Sequence, residues 1–501
     1  MDRRTFLKTS TGAAAASGIG GVVAVSQGGQ TAAPRSDAPA VLSGYTAEEH
    51  RRRLENIGRC RGAIRSCMRK HLITGYLPAQ CCYNLGEYPA RKPWTLGPYD
   101  EEELDRLRDQ GIQLIQLFDE WADPLRLFGG DKFTPVDPAA VRRFIEMAHE
   151  RGMKVLPYAS TCFLQRTDPD FRQAWSREGD NLEVGYWNMA RCSPASPGWR
   201  AYLLPRIVRM FDEFGADGIY IDGGYVWNAR KRLHTPAEDE VVAFEETPEH
   251  DGAFADLLAL IYGEVKRRGG VLKVHVSGDQ RPQSGELKVY DYLWVGEGVG
   301  NAERMREAVK DHPPYVVPCI DMTFATTAGD DEPFLHAIPY MQFPLLQAGK
   351  PFTGERASIP GVEYPRGEKD FWVRRCRAIW EHHRAHPDGP HTYGIWDHVP
   401  GRPETRSTHT RWLRQYLPMV EEGTRAWLEI GESALFSRPL PPGVVASAFA
   451  NRGSYLVLAN YTEEAVDVPT SDACVDTREP GSRPSRQWRL GGRSLVILRR
   501  S

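Results

Sequence analysis

Four times in this chain an amphipathic stretch ends on glycine and a short apolar run follows it. The pairs are Asp100 to Gln110 before Ile112 to Phe118, and Pro138 to Arg151 before Lys154 to Tyr158. They continue with Pro197 to Phe214 before Gly218 to Asp222, and Ala253 to Arg268 before Leu272 to Val276. Glycine stops a helix by taking the left-handed conformation other residues avoid, so each unit reads as helix, stop, strand. Further apolar runs at Tyr76 to Asn84, Val289 to Val295, Tyr315 to Ile320 and Met341 to Leu346 bring the total to about eight strands. Short apolar strands alternating with helices are parallel strands buried on both faces. The repeat predicts an α/β fold, a (β/α)8 TIM barrel. The competing architecture is a doubly wound open sheet, whose nucleotide-binding versions lack support because no Gly-rich loop follows the first strand.

From about Glu429 the pattern changes to short β-rich runs at Val444 to Phe449, Ser454 to Asn460, Ala465 to Pro469 and Ser494 to Leu498. These predict a small C-terminal antiparallel β-sandwich domain. The expected domains are therefore a signal peptide over 1–30, a linker and basic N-terminal helix over 31–70, the barrel over 71–423 and the sandwich over 424–501. The linker is the Gly-, Ala-, Ser- and Pro-rich stretch 28–45, and the basic helix spans Arg51 to Lys70.

The 501 residues are 41% hydrophobic and 26% charged with a formal charge of -3, which excludes the basic balance of a nucleic-acid binder. The nine cysteines have no metal-ligand spacing, and buried free thiols are the expectation for a core this large. No HExxH, nucleophile-elbow or Walker motif is present, and His382, His383 and His386 fall on a helix after the last strand. No cofactor or metal is expected. The sequon Asn460-Tyr461-Thr462 reads as coincidence.

The amino terminus carries Arg3-Arg4-Thr5-Phe6-Leu7-Lys8 and then an uncharged Ala/Gly-rich run to about Gln27. This resembles the prokaryotic twin-arginine signal, and the run is too short and Gly-rich for a stable membrane span. The resemblance implies handling by the twin-arginine export machinery and a periplasmic or extracellular location.

In a barrel the reacting groups stand at the carboxyl ends of strands. Alternation in Gly218-Ile219-Tyr220-Ile221-Asp222 puts Tyr220 and Asp222 on one face, with Gly223-Gly224 leaving room beyond them. The stretch Trp199 to Gly224, with Cys192-Ser193-Pro194-Ala195-Ser196-Pro197 before it, resembles the fourth-strand region of retaining glycoside hydrolases of the α-galactosidase and endo-α-N-acetylgalactosaminidase group. The resemblance implies that Asp222 is the nucleophile. Glu297, flanked by glycines after Trp294, is the expected acid/base, with Asp279 and Glu355 as further candidates. Asp119, Glu120 and Trp121 at the second strand's end, with Tyr158, Tyr220, His275, Trp294 and Glu355, are the expected substrate-binding residues. The reading is an exported glycoside hydrolase acting on oligo- or polysaccharides. The alternatives are a non-catalytic carbohydrate-binding barrel and a hydrolase or lyase that modifies polysaccharides.

Overall fold

The computed structural model describes residues 42–86, 94–122, 133–165, 168–184, 187–222, 248–276, 289–295, 302–312, 315–318, 330–350 and 405–501. Residues 44–501 form one compact unit. The twin-arginine segment lies outside the described residues.

Helix α1 (Ala47–Ala63) opens with a reciprocal cap, in which Thr46 Oγ1 accepts from the Glu49 amide and Glu49 accepts from the Thr46 amide. Strand β1 (Cys67–Leu72) follows, then β2 (Gln80–Asn84), α2 (Pro98–Asp109), β3 (Leu114–Leu117) and α3 (Pro138–Glu150). Strands β4 (Lys154–Leu156) and β5 (Tyr158–Ser160) are separated by Pro157 alone. An antiparallel excursion of β6 (Phe163–Gln165), β7 (Ser176–Val184) and β8 (Trp187–Cys192) leads into α4 (Pro197–Asp212). Then come β9 (Gly218–Asp222), α5 (Pro248–Arg267), β10 (Val271–Val276), β11 (Tyr292–Val295), α6 (Ala302–Val309), β12 (Tyr315–Pro318), α7 (Glu332–Ala337), β13 (Leu346–Gly349) and α8 (Arg406–Tyr416).

The parallel strands form two arcs, β13-β2-β3-β4 and β5-β9-β10-β11-β12. Pro157 has no amide hydrogen, so the ladder breaks there. Residues before it pair with β3 and residues after it with β9, which makes β4 and β5 one bent element shared by both arcs. At the other end the Leu345 amide donates to Pro318 O (3.3 Å), the described bond between the end of β12 and the approach to β13. Read around the arcs, the strands follow chain order.

Acids fix the amino ends of these strands. Asp217 accepts from the Val155 amide (2.9 Å) and from His149 Nε2 (2.7 Å). Asp291 accepts from the Leu272 amide (2.9 Å) and from Lys266 Nζ (3.0 Å). Gly215, at φ +75°, turns the chain out of α4 towards β9. Inside, Lys273 Nζ reaches across to Gln80 Oε1 (3.0 Å), and both side chains are buried.

The carboxyl-terminal strands are β14 (Arg425–Ile430), β15 (Val444–Ala450), β16 (Ser454–Asn460), β17 (Val466–Asp476), β18 (Ser485–Leu490) and β19 (Ser494–Arg500). With β1 at one edge they make one seven-stranded sheet, ordered β1-β14-β15-β16-β19-β17-β18. The expected second sheet of a sandwich is not what covers it. Tyr455, Val457, Ala459, Leu495 and Ile497 join the core of the parallel arcs. Leu456, Leu458, Val496 and Leu498, the alternate residues, pack instead with Ile57, Cys60 and Ile64 of the α1 region. The antiparallel sheet is thus a middle layer between the parallel arcs and a helix.

Two further expectations change. The basic helix ends at Ala63, and Cys67 to Leu72 becomes an edge strand, where Lys70 is exposed and Arg69 is half-buried. The eighth parallel strand is Leu346 to Gly349, not Met341 to Leu346, because the register with β2 pairs Gln347 with Cys82 while Met341 takes a left-handed turn (φ 60°). Asn460 of the sequon is buried, its Nδ2 donating to the carbonyls of Glu464 and Gly491 (both 2.7 Å). The seven described cysteines are free, and six are buried.

The layers meet at polar contacts as well as apolar ones. Ser447 Oγ donates to Pro339 O (2.6 Å), and Tyr340 donates to Glu429 (3.0 Å). His336 of α7 is buried, with Arg306 Nη1 3.0 Å from its Nδ1 and both Glu332 (2.9 Å) and Arg493 (3.1 Å) at its Nε2. Burial, then the Arg306 charge, lowers the His336 pKa from 6.5 to about 4. Between those values the unfolded chain binds the extra proton and the folded one does not. This contribution to stability is therefore complete above about pH 6.5 and is lost as pH falls towards 4. The depression corresponds to about 3 kcal/mol over that window. Denaturant unfolding of the wild type and His336→Gln across pH 4 to 7 checks this. The wild type should lose more stability than the variant by about that amount, and parallel pH curves would contradict it.

Candidate active site

Asp222 is the last residue of β9, and both its oxygens are engaged. The Tyr158 hydroxyl donates to Oδ2 (2.7 Å), and His275 Nδ1 stands 2.9 Å from Oδ1. Three neighbouring strands supply the group, since β5 and β10 flank β9 directly. Register explains the directions of approach. Tyr158 pairs with Tyr220, one pleat deeper than Asp222, so its ring reaches outward to the carboxylate. Lys273 also pairs with Tyr220, which puts His275 two residues on and level with Asp222.

Aromatic rings close round the carboxylate. His275 lies tilted against Trp294 with centroids 4.7 Å apart, Trp294 meets Tyr220 edge-on at 5.0 Å, and Tyr220 meets Tyr158 at 5.7 Å. All four rings are buried, and 18% of the Asp222 side chain remains exposed. Burial first, and then the Asp222 and Asp119 charges, hold the Tyr158 hydroxyl well above its ordinary pKa. It therefore stays protonated and donates at any physiological pH. Two donors on one carboxylate suit its anionic form.

The second-strand residues are placed differently from one another. Asp119 is buried near Tyr158, as its effect on the Tyr158 hydroxyl records. Glu120 and Trp121 do not stand at an open rim. Glu120 accepts from the Leu85 amide (2.8 Å), and Trp121 Nε1 donates to Tyr158 O (2.8 Å). Glu120 Oε1 and Trp121 Nε1 thus serve the scaffold, because short parallel strands leave loop amides and carbonyls that need buried partners. Glu297, Asp279 and Glu355 lie outside the described residues, as do His382, His383 and His386. Among the described residues no three His, Cys, Asp or Glu side chains group as a metal site, and no helix is long and apolar enough to cross a membrane.

Sequence reasoning missed that Tyr158 and His275 act on Asp222. Alternation within Lys273-Val274-His275 and Tyr220-Ile221-Asp222 carried the signal, but relating the two needed the register between β9 and β10.

No protein-family model matches the chain, and no curated protein does. Solved structures of similar fold include an α-glucosyl transfer enzyme, XgtA, at 13% identity, covering 85% of this chain and 99% of the other with a TM-score of 0.51. The trehalulose synthase MutB from Pseudomonas mesoacidophila MX-45 is 11% identical over 85% of this chain and 99% of its own, TM-score 0.51. Isomaltulose synthase from Klebsiella sp. LX3 is 11% identical over 84% and 98%, TM-score 0.51. At these identities the likeness is one of fold. None of these three is named for the α-galactosidase group that the fourth-strand segment resembles.

The placing of Asp222 depends on close approach at the other end of its strand. A Cβ on Gly218 would lie 2.0 Å from Val271 O and 2.4 Å from Leu156 Cδ2. Gly218→Ala should therefore force β4, β9 and β10 apart and cost at least about 2 kcal/mol. Urea unfolding measures it, and an unchanged midpoint would contradict the packing described.

Proposed function

We propose that this chain is an exported glycoside hydrolase with a closed (β/α)8 barrel, acting on oligo- or polysaccharides with Asp222 as nucleophile. The observation that carries the reading is the carboxylate at the carboxyl end of the fourth parallel strand, oriented through both oxygens by Tyr158 and His275. A nucleophile must keep its attacking oxygen aimed at the anomeric carbon, and two fixed donors supply that aim. The fold likeness to enzymes named for α-glucosyl transfer and for trehalulose and isomaltulose synthesis supports chemistry at a glycosidic carbon. The reading therefore stops at glycosyl transfer to water and does not extend to α-galactosides.

Glu297, two residues beyond the end of β11, is the proposed acid/base. Strands β9 and β11 are separated by β10 alone, a lateral spacing of about 10 Å. Retaining enzymes need the two carboxyl groups ~5–5.5 Å apart and inverting ones ~6.5–9.5 Å apart. Glu355 is the proposed sugar contact, and the buried Asp119, Tyr220 and Trp294 would form the wall of the sugar site behind Asp222. Barrel closure across β12 and β13, the domain limits and the twin-arginine route belong to the same proposal.

A second reading draws on the Asp222–His275 contact, which is also how a carboxylate orients a histidine general base. A hydrolase removing polysaccharide substituents would use His275 in that way. One experiment divides the two. On an aryl glycoside panel, Asp222→Asn should lower kcat/KM by about 10⁴-fold, as expected for a lost nucleophile. Azide should rescue Asp222→Gly by forming a glycosyl azide of inverted configuration. Release of acyl or other substituents without glycoside cleavage would favour the second reading instead.

Export is tested separately. Replacing Arg3-Arg4 by two lysines should hold the protein in the cytoplasm, read by fractionation. Unchanged export would remove the twin-arginine proposal.

A further inference from the structure

We propose that Tyr158 is a positioning residue whose buried hydroxyl assigns different tasks to the two oxygens of Asp222. Oδ1 forms the bond to the sugar, and Oδ2 stays on Tyr158 throughout, favouring departure of the carboxylate in the second step. The inference rests on the hydrolase reading above and deepens it.

Tyr158 is held from several sides. Tyr158 is 1% exposed, its carbonyl is tied to Trp121 Nε1 (2.8 Å), and its ring packs between Phe118 (5.9 Å) and Tyr220 (5.7 Å). The Thr161 amide donates to Asp222 O (3.3 Å) and the Tyr220 amide to Pro157 O (3.0 Å), so the main chains on either side are locked together too. The hydroxyl comes from the inner side of the carboxylate, one pleat below it. A sugar enters from the strand ends, on the other side. The oxygen on the inner side is therefore unsuited to attack, and Oδ1, level with His275, is the one that faces the reaction.

In the first step a lone pair on Oδ1 forms the bond to the anomeric carbon. The bond to the leaving oxygen breaks, and that oxygen takes the proton of the general acid. Oδ2 becomes the carbonyl oxygen of an ester and loses most of its negative charge. In the second step water attacks the anomeric carbon and gives its proton to the general base. The C–Oδ1 bond breaks, and its electron pair returns to the carboxylate. The Tyr158 bond to Oδ2 weakens in the first step and strengthens as charge returns in the second. Tyr158 thus favours breakdown of the glycosyl-enzyme over its formation.

The test uses the full-length enzyme and 2,4-dinitrophenyl glycosides of a sugar the wild type hydrolyses, beginning with the α-D-glucoside. With so good a leaving group the second step limits turnover. Tyr158→Phe should lower kcat about 10- to 100-fold, the worth of one hydrogen bond to a charged group. KM should fall in parallel, leaving kcat/KM within about threefold, because only the second step has slowed. Intact-mass measurement at steady state should find the glycosyl-enzyme accumulating. Trp121→Phe, which loosens the Tyr158 main chain, should move both constants the same way by less, and serves if the first variant does not fold. A fall in kcat with KM unchanged or raised, or wild-type kinetics, would overturn the proposal. If Asp222→Asn stays active, or the wild type cleaves no glycoside, the hydrolase reading itself fails. If Asp222→Asn is inactive and Tyr158→Phe is normal, only the role of Tyr158 fails.

Discussion

Pro157 is the constraint on which the described arrangement turns. Lacking an amide hydrogen, it interrupts the third parallel strand after Leu156, and the chain resumes at Tyr158 paired with a different neighbour. That single interruption joins the two parallel arcs. It also fixes the level at which Tyr158 meets β9, one pleat beneath Asp222. Proline still serves as an acceptor, since the Tyr220 amide donates to its carbonyl. The fold and the site therefore share one hinge of covalent geometry.

The layers outside the arcs follow from alternation. A strand whose odd and even residues are both apolar must be covered on both faces. In β16 and β19 one set of residues enters the core of the parallel arcs and the other meets α1. In β14 the positive φ of Glu429 (48°) shifts the alternation, so Trp427 and Ile430 both reach the helix side. Glu429 itself then accepts from Tyr340 and pairs with Lys310 (3.3 Å). The carboxyl-terminal sheet is consequently bound to the arcs by both core and polar contacts.

The parallel strands were legible because their signal is local. Gly218 to Asp222 matches the observed strand residue for residue, and the helices before Gly111, Gly152 and Gly215 end within two residues of expectation. What sequence could not supply was distance along the chain. The cover of the antiparallel sheet comes from α1, nearly 400 residues before β16, so a sandwich was the nearest local reading. The same holds at the site. Asp222 is identifiable from its own segment, whereas Tyr158 and His275 lie 64 and 53 residues away and become its partners only through strand register. Glu120 Oε1 and Trp121 Nε1 likewise bond backbone at Leu85 and Tyr158, partners that lie 35 and 37 residues away.

The central claim is that Asp222, held by Tyr158 and His275, forms the covalent bond to sugar. Its most direct test is to react the enzyme with an activated fluoro-glycoside of a hydrolysed sugar, digest it, and sequence the labelled peptide by mass spectrometry. The account predicts one sugar on the peptide containing Gly218 to Asp222, attached to Asp222. A label on another carboxylate, or an active enzyme that takes no label, would contradict it.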